Sequence, residues 1–229
     1  MVRRKKQLII NKHLSKKEFT ILVGQRQIGK STMLKQLYED LILKGETCYF
    51  LNLDRKDILD ELNKNPENLF KICPLLDDKK IIVFIDEIQY LEDATNFLKL
   101  LFDEYNSRLK IVATGSSAFY IDKQFKDSLV GRKKIFQMGT LDFEEFLHFK
   151  GRNDLVDEVA KLKSKKLKKS IHENLLWSYM DEFVNYGGYP AVVLQNNIEE
   201  KIELLREIRD SYIKRDLLES GITDRKSVV

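Results

Sequence analysis

The sequence predicts an α/β fold, in which a parallel sheet is covered by helices on both faces and is followed by a helical C-terminal region. The first observation is that short, almost wholly apolar runs alternate with helical patterns over the first 140 residues. The second is that only helical patterns follow after residue 141. We therefore expect a basic segment at 1–17, a sheet domain at 18–140 and a helical domain at 141–229.

The elements follow in order along the chain. The predicted strands are the apolar runs at 19–23, 47–53, 81–85, 109–113 and 134–138. The predicted helices have apolar residues at helical spacing and cover 30–44, 96–105, 143–149, 171–184 and 198–218. Gly45 is expected to end the first helix. The polar stretch at 54–76 is helix-like, with Pro66 as a residue of a first helical turn and Pro74 as a helix breaker.

Composition excludes several classes of protein. Hydrophobic residues make up 43% of the 229 residues, which is enough for a buried core and excludes wholesale disorder. The longest wholly apolar run, at 81–85, is far shorter than the about 20 residues that cross a bilayer. Cys48 and Cys73 fit neither a disulfide framework nor a metal-ligand spacing. We expect a cytoplasmic protein that does not insert into a membrane.

Positive charge is concentrated in two segments. The chain has 40 basic and 36 acidic residues, a net charge of +4. The segment from Arg3 to Lys17 holds seven basic and no acidic residues, and that from Lys161 to Lys169 holds six lysines. The remaining 27 basic and 36 acidic residues give a charge of −9. The two segments are either solvated surface or contacts for the phosphate backbone of a nucleic acid.

Residues 24–31 match the phosphate-binding pattern G-x-x-x-x-G-K-[ST] between a predicted strand and a predicted helix, and are called the P-loop below. Glycines permit positive φ and a close approach to a polyphosphate, which then faces backbone N–H groups and a helix N-terminus. We expect Lys30 to reach the β- and γ-phosphates and Ser31 to bind Mg²⁺. A chance glycine turn is the alternative. The predicted ATP-binding residues are Gly24, Gln25, Arg26, Gln27, Ile28, Gly29, Lys30, Ser31, Thr32 and Ser116.

Two carboxylates, Asp86 and Glu87, directly follow the apolar strand at 81–85. Ligands of open parallel sheets bind at the carboxyl ends of the strands. We expect Asp86 to bind Mg²⁺ together with Ser31, and Glu87 to polarise the attacking water as a general base. The alternative is a pair of acids at the start of a helix. A glutamate here favours a hydrolytic ATPase over a small-molecule kinase.

Polar residues also follow the fourth predicted strand. We expect Thr114 or Ser116 to hydrogen-bond the γ-phosphate or to position the attacking water. The alternative is helix capping, for which Ser116 and Ser117 are natural N-caps. Arg132 is a third catalytic candidate beside Lys30 and Glu87, because it could neutralise γ-phosphate charge in its own chain or in a neighbouring subunit. A surface arginine is the alternative.

Further motifs accompany these residues: F-I-D-E-I-Q at 84–89, A-T-G-S-S at 113–117, G-R at 131–132, T-L-D-F-E-E-F-L at 140–147, Y-G-G-Y-P at 186–190 and Y-I-K-R-D at 212–216. In this order, after the P-loop, they resemble archaeal and bacterial P-loop ATPases of the AAA+/STAND-like group with an attached domain of unknown function. The resemblance implies an AAA+ core that binds ATP and Mg²⁺ through Lys30, Ser31, Asp86 and Glu87. It also implies a trans-acting or sensing role for Arg132. Family members usually continue beyond the last motif, so a truncated or short form is expected.

The expected function is Mg²⁺-dependent hydrolysis of ATP as a conformational switch, with residues 141–229 as lid and as surface for an unknown protein partner. One alternative is a nucleic-acid-associated ATPase of the loader or mobile-element type, which rests on the two basic segments. The other is a nucleotide-binding switch that does not hydrolyse. An oligomer is compatible with each of them.

Overall fold

The computed structural model describes residues 2–75, 79–115, 129–166 and 169–213. Within these ranges five strands form one sheet, in the order β2-β3-β4-β1-β5. Each strand is parallel to its neighbours, so the predicted parallel sheet is confirmed. The strands are β1 Phe19–Val23, β2 Cys48–Asn52, β3 Ile81–Asp86, β4 Leu109–Gly115 and β5 Lys133–Gln137.

Helices precede, connect and follow the strands. Those up to the fourth strand are α1 Lys5–His13, α2 Lys30–Ile42, α3 Lys56–Lys64, α4 Leu69–Ile72 and α5 Ala94–Tyr105. Short 3-10 turns cover Pro66–Asn68 and Ile88–Tyr90. The helices after the sheet are α6 Phe143–Phe149, α7 Asn153–Lys163, α8 Glu173–Tyr186, α9 Pro190–Val193 and α10 Ile198–Tyr212. No helix of the described ranges has both the length and the apolar character needed to cross a bilayer.

The helix α1 is an element that the apolar pattern does not predict. Its apolar residues Leu8 and Ile9 are 70% and 57% exposed, so they do not mark its buried face. That face carries Gln7 and Ile10 instead. The N-terminal basic segment is therefore largely helical.

The described residues group into two compact units, whose bounds in the sequence are as follows. One comprises 3–25 and 30–138 and contains the sheet with α1–α5. The other comprises 1–2, 26–29 and 139–229 and contains α6–α10.

The three central strands of the sheet, β3, β4 and β1, are its buried part. Every residue of β1, β3 and β4 is buried. The edge strand β2 also contains half-buried positions, and the edge strand β5 contains half-buried and exposed ones. The strand β4 lies between β1 and β3, so a further strand separates the P-loop strand from the acidic strand. We call the side of the sheet where the strands end the carboxyl edge, and the side where they begin the amino edge. The carboxyl edge carries the ends of β1, β3 and β4, at Val23, Asp86 and Gly115.

The helical unit has its own apolar core. A capping box begins α6: the Asp142 carboxylate accepts a hydrogen bond from the backbone N–H of Glu145 (2.8 Å), and the Glu145 carboxylate accepts one from that of Asp142 (3.2 Å). Phe146 is buried one residue later, with its ring centroid 5.4 Å from that of Phe183 on α8. The apolar face predicted at 143–149 therefore packs within this unit.

Candidate functional site

The P-loop follows β1 directly and leads into α2, as predicted. Its backbone has positive φ at Gly24 (157°), Gln27 (61°) and Gly29 (91°). The two glycines of the motif thus occupy conformations that residues with a Cβ rarely adopt. Such a turn, placed before a helix N-terminus, fits a bound polyphosphate.

The side chains of the P-loop differ in exposure. Ile28 is fully buried and contributes to packing. Gln25, Gln27 and Thr32 are exposed, and Arg26 is half-buried. Contacts of these residues with a nucleotide stay predictions.

Lys30 begins α2 and is buried. Its ammonium donates a hydrogen bond to the carbonyl of Gln25, with 2.7 Å between the Nζ and O atoms. The side chain is therefore folded back over the P-loop. An ammonium placed over this turn is suited to a phosphate oxygen that the same turn would hold.

Ser31 and Asp86 meet at the carboxyl edge although 55 residues separate them in sequence. The Ser31 hydroxyl donates a hydrogen bond to Oδ1 of Asp86, with 3.0 Å between the oxygens. Asp86 is buried at the last position of β3. A hydroxyl and a carboxylate are oxygen donors of the kind that Mg²⁺ prefers, so the pair fits the predicted metal site.

The Asp86 carboxylate has a second hydroxyl partner, which the sequence interpretation did not assign to it. The hydroxyl of Thr114, on the neighbouring strand β4, hydrogen-bonds Oδ1 of Asp86. The register pairs Ile85 with Ala113, so the next residues along, Asp86 and Thr114, lie side by side. The Thr114 hydroxyl, predicted to bond the γ-phosphate or to position the attacking water, is thus bonded to the Asp86 carboxylate. Ser116 lies outside the described residues.

Glu87 has an unusual backbone conformation directly after β3. Its φ and ψ are 61° and 48°, in the left-handed region, which costs a non-glycine residue about 1–2 kcal/mol. Its N–H donates to the Thr114 hydroxyl oxygen at 3.0 Å, and its carboxylate accepts a hydrogen bond from the side-chain amide of Gln89. Strain of this kind is typical of functional sites. The role of Gln89 was missed, although it belongs to the motif F-I-D-E-I-Q.

Arg132 is not brought together with the other candidates. It directly precedes β5, and the pairing of Phe19 with Lys133 puts this part of the chain at the amino edge. Its guanidinium binds the Asp103 carboxylate with N–O distances of 2.6 and 3.0 Å, which lowers the pKa of Asp103. The geometry therefore does not support the expected role of Arg132 at the site of its own chain, and a role in a neighbouring subunit stays a prediction.

Residues 16–147 match the model of a family described as an AAA domain. Two uncharacterized proteins of Methanocaldococcus jannaschii are also similar: MJ1544 is 32% identical over 222 residues, and MJ1637 is 30% identical over 198 residues. These alignments cover 94% and 80% of this chain, but only 46% and 40% of the two relatives. The chain thus spans less than half the length of these curated relatives.

Two solved structures from Thermotoga maritima are similar at low identity. Domain III of the replication initiation protein DnaA is 17% identical, with a TM-score of 0.48 and coverage of 88% of this chain and 89% of that chain. The RuvB Holliday junction branch migration motor is 15% identical, with a TM-score of 0.46 and coverage of 68% and 52%. TM-scores below 0.5 support no argument about activity. The family model, however, covers more than half of this chain, including the P-loop, both acids and every strand of the sheet. This chain therefore belongs to the AAA domain family of P-loop ATPases.

Proposed function

We propose that this protein binds ATP together with Mg²⁺ and hydrolyses it to ADP and phosphate. The main support is the 3.0 Å hydrogen bond between Ser31 and Asp86, because it joins the first helical turn after the P-loop to the acidic strand. Lys30 precedes Ser31 and Glu87 follows Asp86. The residues proposed for phosphate binding, metal binding and base catalysis therefore lie at the same edge of the sheet, which supports the proposal.

Each of these residues has a defined role in the proposed reaction. The P-loop and Lys30 would bind the phosphates, and Ser31 and Asp86 would hold Mg²⁺, which neutralises charge on the β- and γ-phosphate oxygens when bound. The Glu87 carboxylate would accept a proton from water as the water oxygen bonds to the γ-phosphorus. The bond from that phosphorus to the β,γ-bridging oxygen breaks, and ADP leaves.

We propose further that hydrolysis resets a conformational switch, to which the helical region at 141–229 responds as lid and partner surface. Family membership supports the ATPase itself. The switch rests on the expectation, drawn from the change of pattern after residue 141, that a separate helical part follows the core.

Two variants test the assignment of binding and turnover to different residues. Lys30→Ala is expected to lose ATP binding, because the phosphates lose their ammonium partner. Glu87→Gln is expected to keep ATP affinity within about threefold and to lose about 100-fold or more in kcat, because the amide cannot accept the proton. ATP affinity is measured by calorimetry, and turnover by phosphate release.

The matched control for Lys30→Ala is Lys35→Ala, since Lys35 is an exposed lysine of the same helix. It is expected to bind and hydrolyse ATP like the parent. Parent-like turnover in Glu87→Gln would show that the base is assigned wrongly. A parent chain that binds ATP but releases no phosphate would favour the non-hydrolysing switch.

The second candidate function is a nucleic-acid-associated ATPase. Its support is the exposure of Lys5, Lys12, Lys16 and Lys17 on or just after α1. The positive charge is in part balanced locally, because Arg3 pairs with Asp40 at 2.6 Å and acidic partners also face Lys163 and Lys169. Titration with duplex DNA at 50 and at 200 mM salt tests this function. Binding that weakens steeply with salt supports it, and the absence of binding at the lower salt contradicts it.

A further inference from the structure

Helix α1 has an exposed face that is apolar in the middle and basic at both ends. Leu8 and Ile9 are 70% and 57% exposed. Lys5 lies three residues before Leu8, Lys12 lies three residues after Ile9, and both lysines are exposed. Residues three or four positions apart share one side of a helix, so these four residues form a single surface, the α1 face.

Helix α8 of the helical unit has an exposed face with a similar arrangement and the opposite charge. Trp177 is 67% and Val184 73% exposed. Glu173 lies four residues before Trp177, Asp181 lies four residues after it, and both acids are exposed. Helical spacing again places these four residues on one side, the α8 face. Tryptophan is among the residues most enriched at the energetic centres of protein interfaces.

The acids of the α8 face keep charge for a further partner. The Asp181 carboxylate accepts a hydrogen bond from the neutral side-chain amide of Asn185, with 3.3 Å between the atoms. Glu173 pairs with Lys169 at 3.4 Å, and these two side chains are 49% and 80% exposed. Exposed pairs of this kind are weak, so Glu173 can exchange this partner for another lysine.

The two faces match in spacing as well as in the sign of their charge. Lys5 and Lys12 are seven positions apart, which is about 10 Å along a helix, and Glu173 and Asp181 are eight positions apart, about 12 Å. Apolar side chains lie between the charges of each face. Placing one face on the other therefore brings each lysine to an acid and Trp177 to the apolar pair, whether the helices run parallel or antiparallel.

Like charges oppose the pairing of either face with a copy of itself. Two α1 faces would bring lysines together, and two α8 faces would bring carboxylates together. Both faces are satisfied at once when the α1 face of one chain meets the α8 face of another. Such a contact uses different surfaces of the two copies and is therefore heterologous.

We propose that the α1 face of one chain binds the α8 face of a second copy, so that copies associate head to tail. A contact between two helix faces buries less than about 1,200 Å², which is typical of transient complexes. The dissociation constant is therefore expected to be on the order of 10–100 µM at low salt. This inference goes beyond the proposed function and does not depend on hydrolysis of ATP.

Trp177 permits a direct test because it is the only tryptophan of the chain, so the fluorescence of the protein's indole reports this face alone. Sedimentation velocity of the full chain at 5–500 µM, in 50 and in 300 mM salt, measures association. We expect the parent to associate over this range at 50 mM salt and less at 300 mM. Tryptophan emission should shift to shorter wavelength as the concentration rises, because the indole leaves water.

Charge reversal tests whether these two faces are the ones that meet. Lys12→Glu, Asp181→Lys and Glu173→Lys should each weaken association about fivefold or more at 50 mM salt. Two double variants then restore opposite charges with the signs exchanged. Lys12→Glu with Asp181→Lys should recover the parent's association if the helices are parallel, and Lys12→Glu with Glu173→Lys should recover it if they are antiparallel.

The remaining variants separate the two faces from the general surface. Trp177→Ala should weaken association about tenfold or more, because it removes the apolar centre of the contact. The matched controls are Lys56→Glu on α3 and Glu203→Lys on α10, which reverse exposed charges outside both faces. Both are expected to associate like the parent.

The inference is overturned if the parent stays monomeric at 500 µM in 50 mM salt, or if neither double variant recovers. It is also overturned if a control loses as much association as the charge reversals do. Association without a shift of tryptophan emission would place the contact on another surface. A shifted emission that does not change with concentration would show that the α8 face is covered within its own chain, which also contradicts the proposal.

Discussion

The two edges of the sheet both bury polar side chains, but they satisfy them in different ways. At the carboxyl edge the Asp86 carboxylate is hydrogen-bonded by the neutral hydroxyls of Ser31 and Thr114. At the amino edge the completely buried Lys110 donates to the carbonyls of His13, Lys16 and Glu18. Hydroxyl partners leave the negative charge of a carboxylate available to a cation, whereas three carbonyls occupy all the donors of an ammonium.

This difference predicts that the carboxyl edge matters mainly for ligand binding and the amino edge mainly for stability. Under the proposed function, the hydroxyls at the carboxyl edge present a carboxylate to a charged ligand, so changes there should affect ligand binding and turnover more than folding. The carbonyls bonded by Lys110 belong to the end of α1 and the segment that leads into β1. Lys110 therefore fastens the N-terminal segment to the sheet, and changes at the amino edge should affect folding first.

Of the changes that test this comparison, Lys110→Met is expected to have the largest effect, on the free energy of unfolding. The substitution leaves three backbone carbonyls without their donor, and the free energy of unfolding should fall by about 2–4 kcal/mol. ATP affinity of the folded fraction should stay within about twofold of the parent, because the P-loop is at the other edge. Urea unfolding gives the first quantity and calorimetry gives the second. The control Lys134→Met changes an exposed lysine and should cost less than about 0.5 kcal/mol.

The pH dependence of unfolding provides a second test of Lys110. Burial, with a smaller effect of Lys80, lowers the pKa of Lys110 to about 7. Above that pH the unfolded chain binds a proton that the folded chain has released, so stability rises with pH from about 7 towards the ordinary lysine pKa. This rise should be present in the parent and absent in Lys110→Met. Identical pH profiles would contradict the assignment.

A smaller effect is expected for Arg132, the residue of the amino edge with a proposed catalytic role. Its exposed pair with Asp103 should contribute at most about 1 kcal/mol to stability. If Arg132 acts in a neighbouring subunit, Arg132→Ala and Lys30→Ala should each hydrolyse ATP slowly, and a mixture of the two should recover about 3- to 10-fold. The recovery arises because the mixture pairs an intact P-loop with an intact arginine. If Arg132→Ala hydrolysed ATP like the parent, Arg132 would have no catalytic role and would only form a surface ion pair with Asp103.

Most of the fold could be predicted because burial in a parallel sheet leaves a strong local signal. The apolar runs at 19–23, 81–85 and 109–113 each lie within a strand that is buried at every residue. The weaker run at 134–138 corresponds to the edge strand β5, which begins and ends one residue earlier. The local pattern fails for α1, because two of its apolar residues are exposed.

The candidate site was predictable to the extent that its residues form local motifs. The P-loop pattern and the acidic pair are each contiguous in sequence, and parallel strands bring them to one edge. The hydroxyl of Thr114 contacts Asp86 and Glu87, which lie 28 and 27 positions away in sequence. These contacts depend on the register of two neighbouring strands, which the sequence does not display. Register likewise places Arg132 away from these residues, because the start of β5 lies at the amino edge.

The most direct test of the central claim is the effect of Mg²⁺ on the affinity for a non-hydrolysable ATP analogue. The parent should bind the analogue at least about tenfold more tightly with Mg²⁺ than with EDTA, because the metal links the phosphates to Ser31 and Asp86. Asp86→Asn should keep the affinity measured in EDTA and lose most of this gain, while Asp103→Asn, at the amino edge, should keep it. An equal Mg²⁺-dependent gain in Asp86→Asn and in the parent would contradict the account.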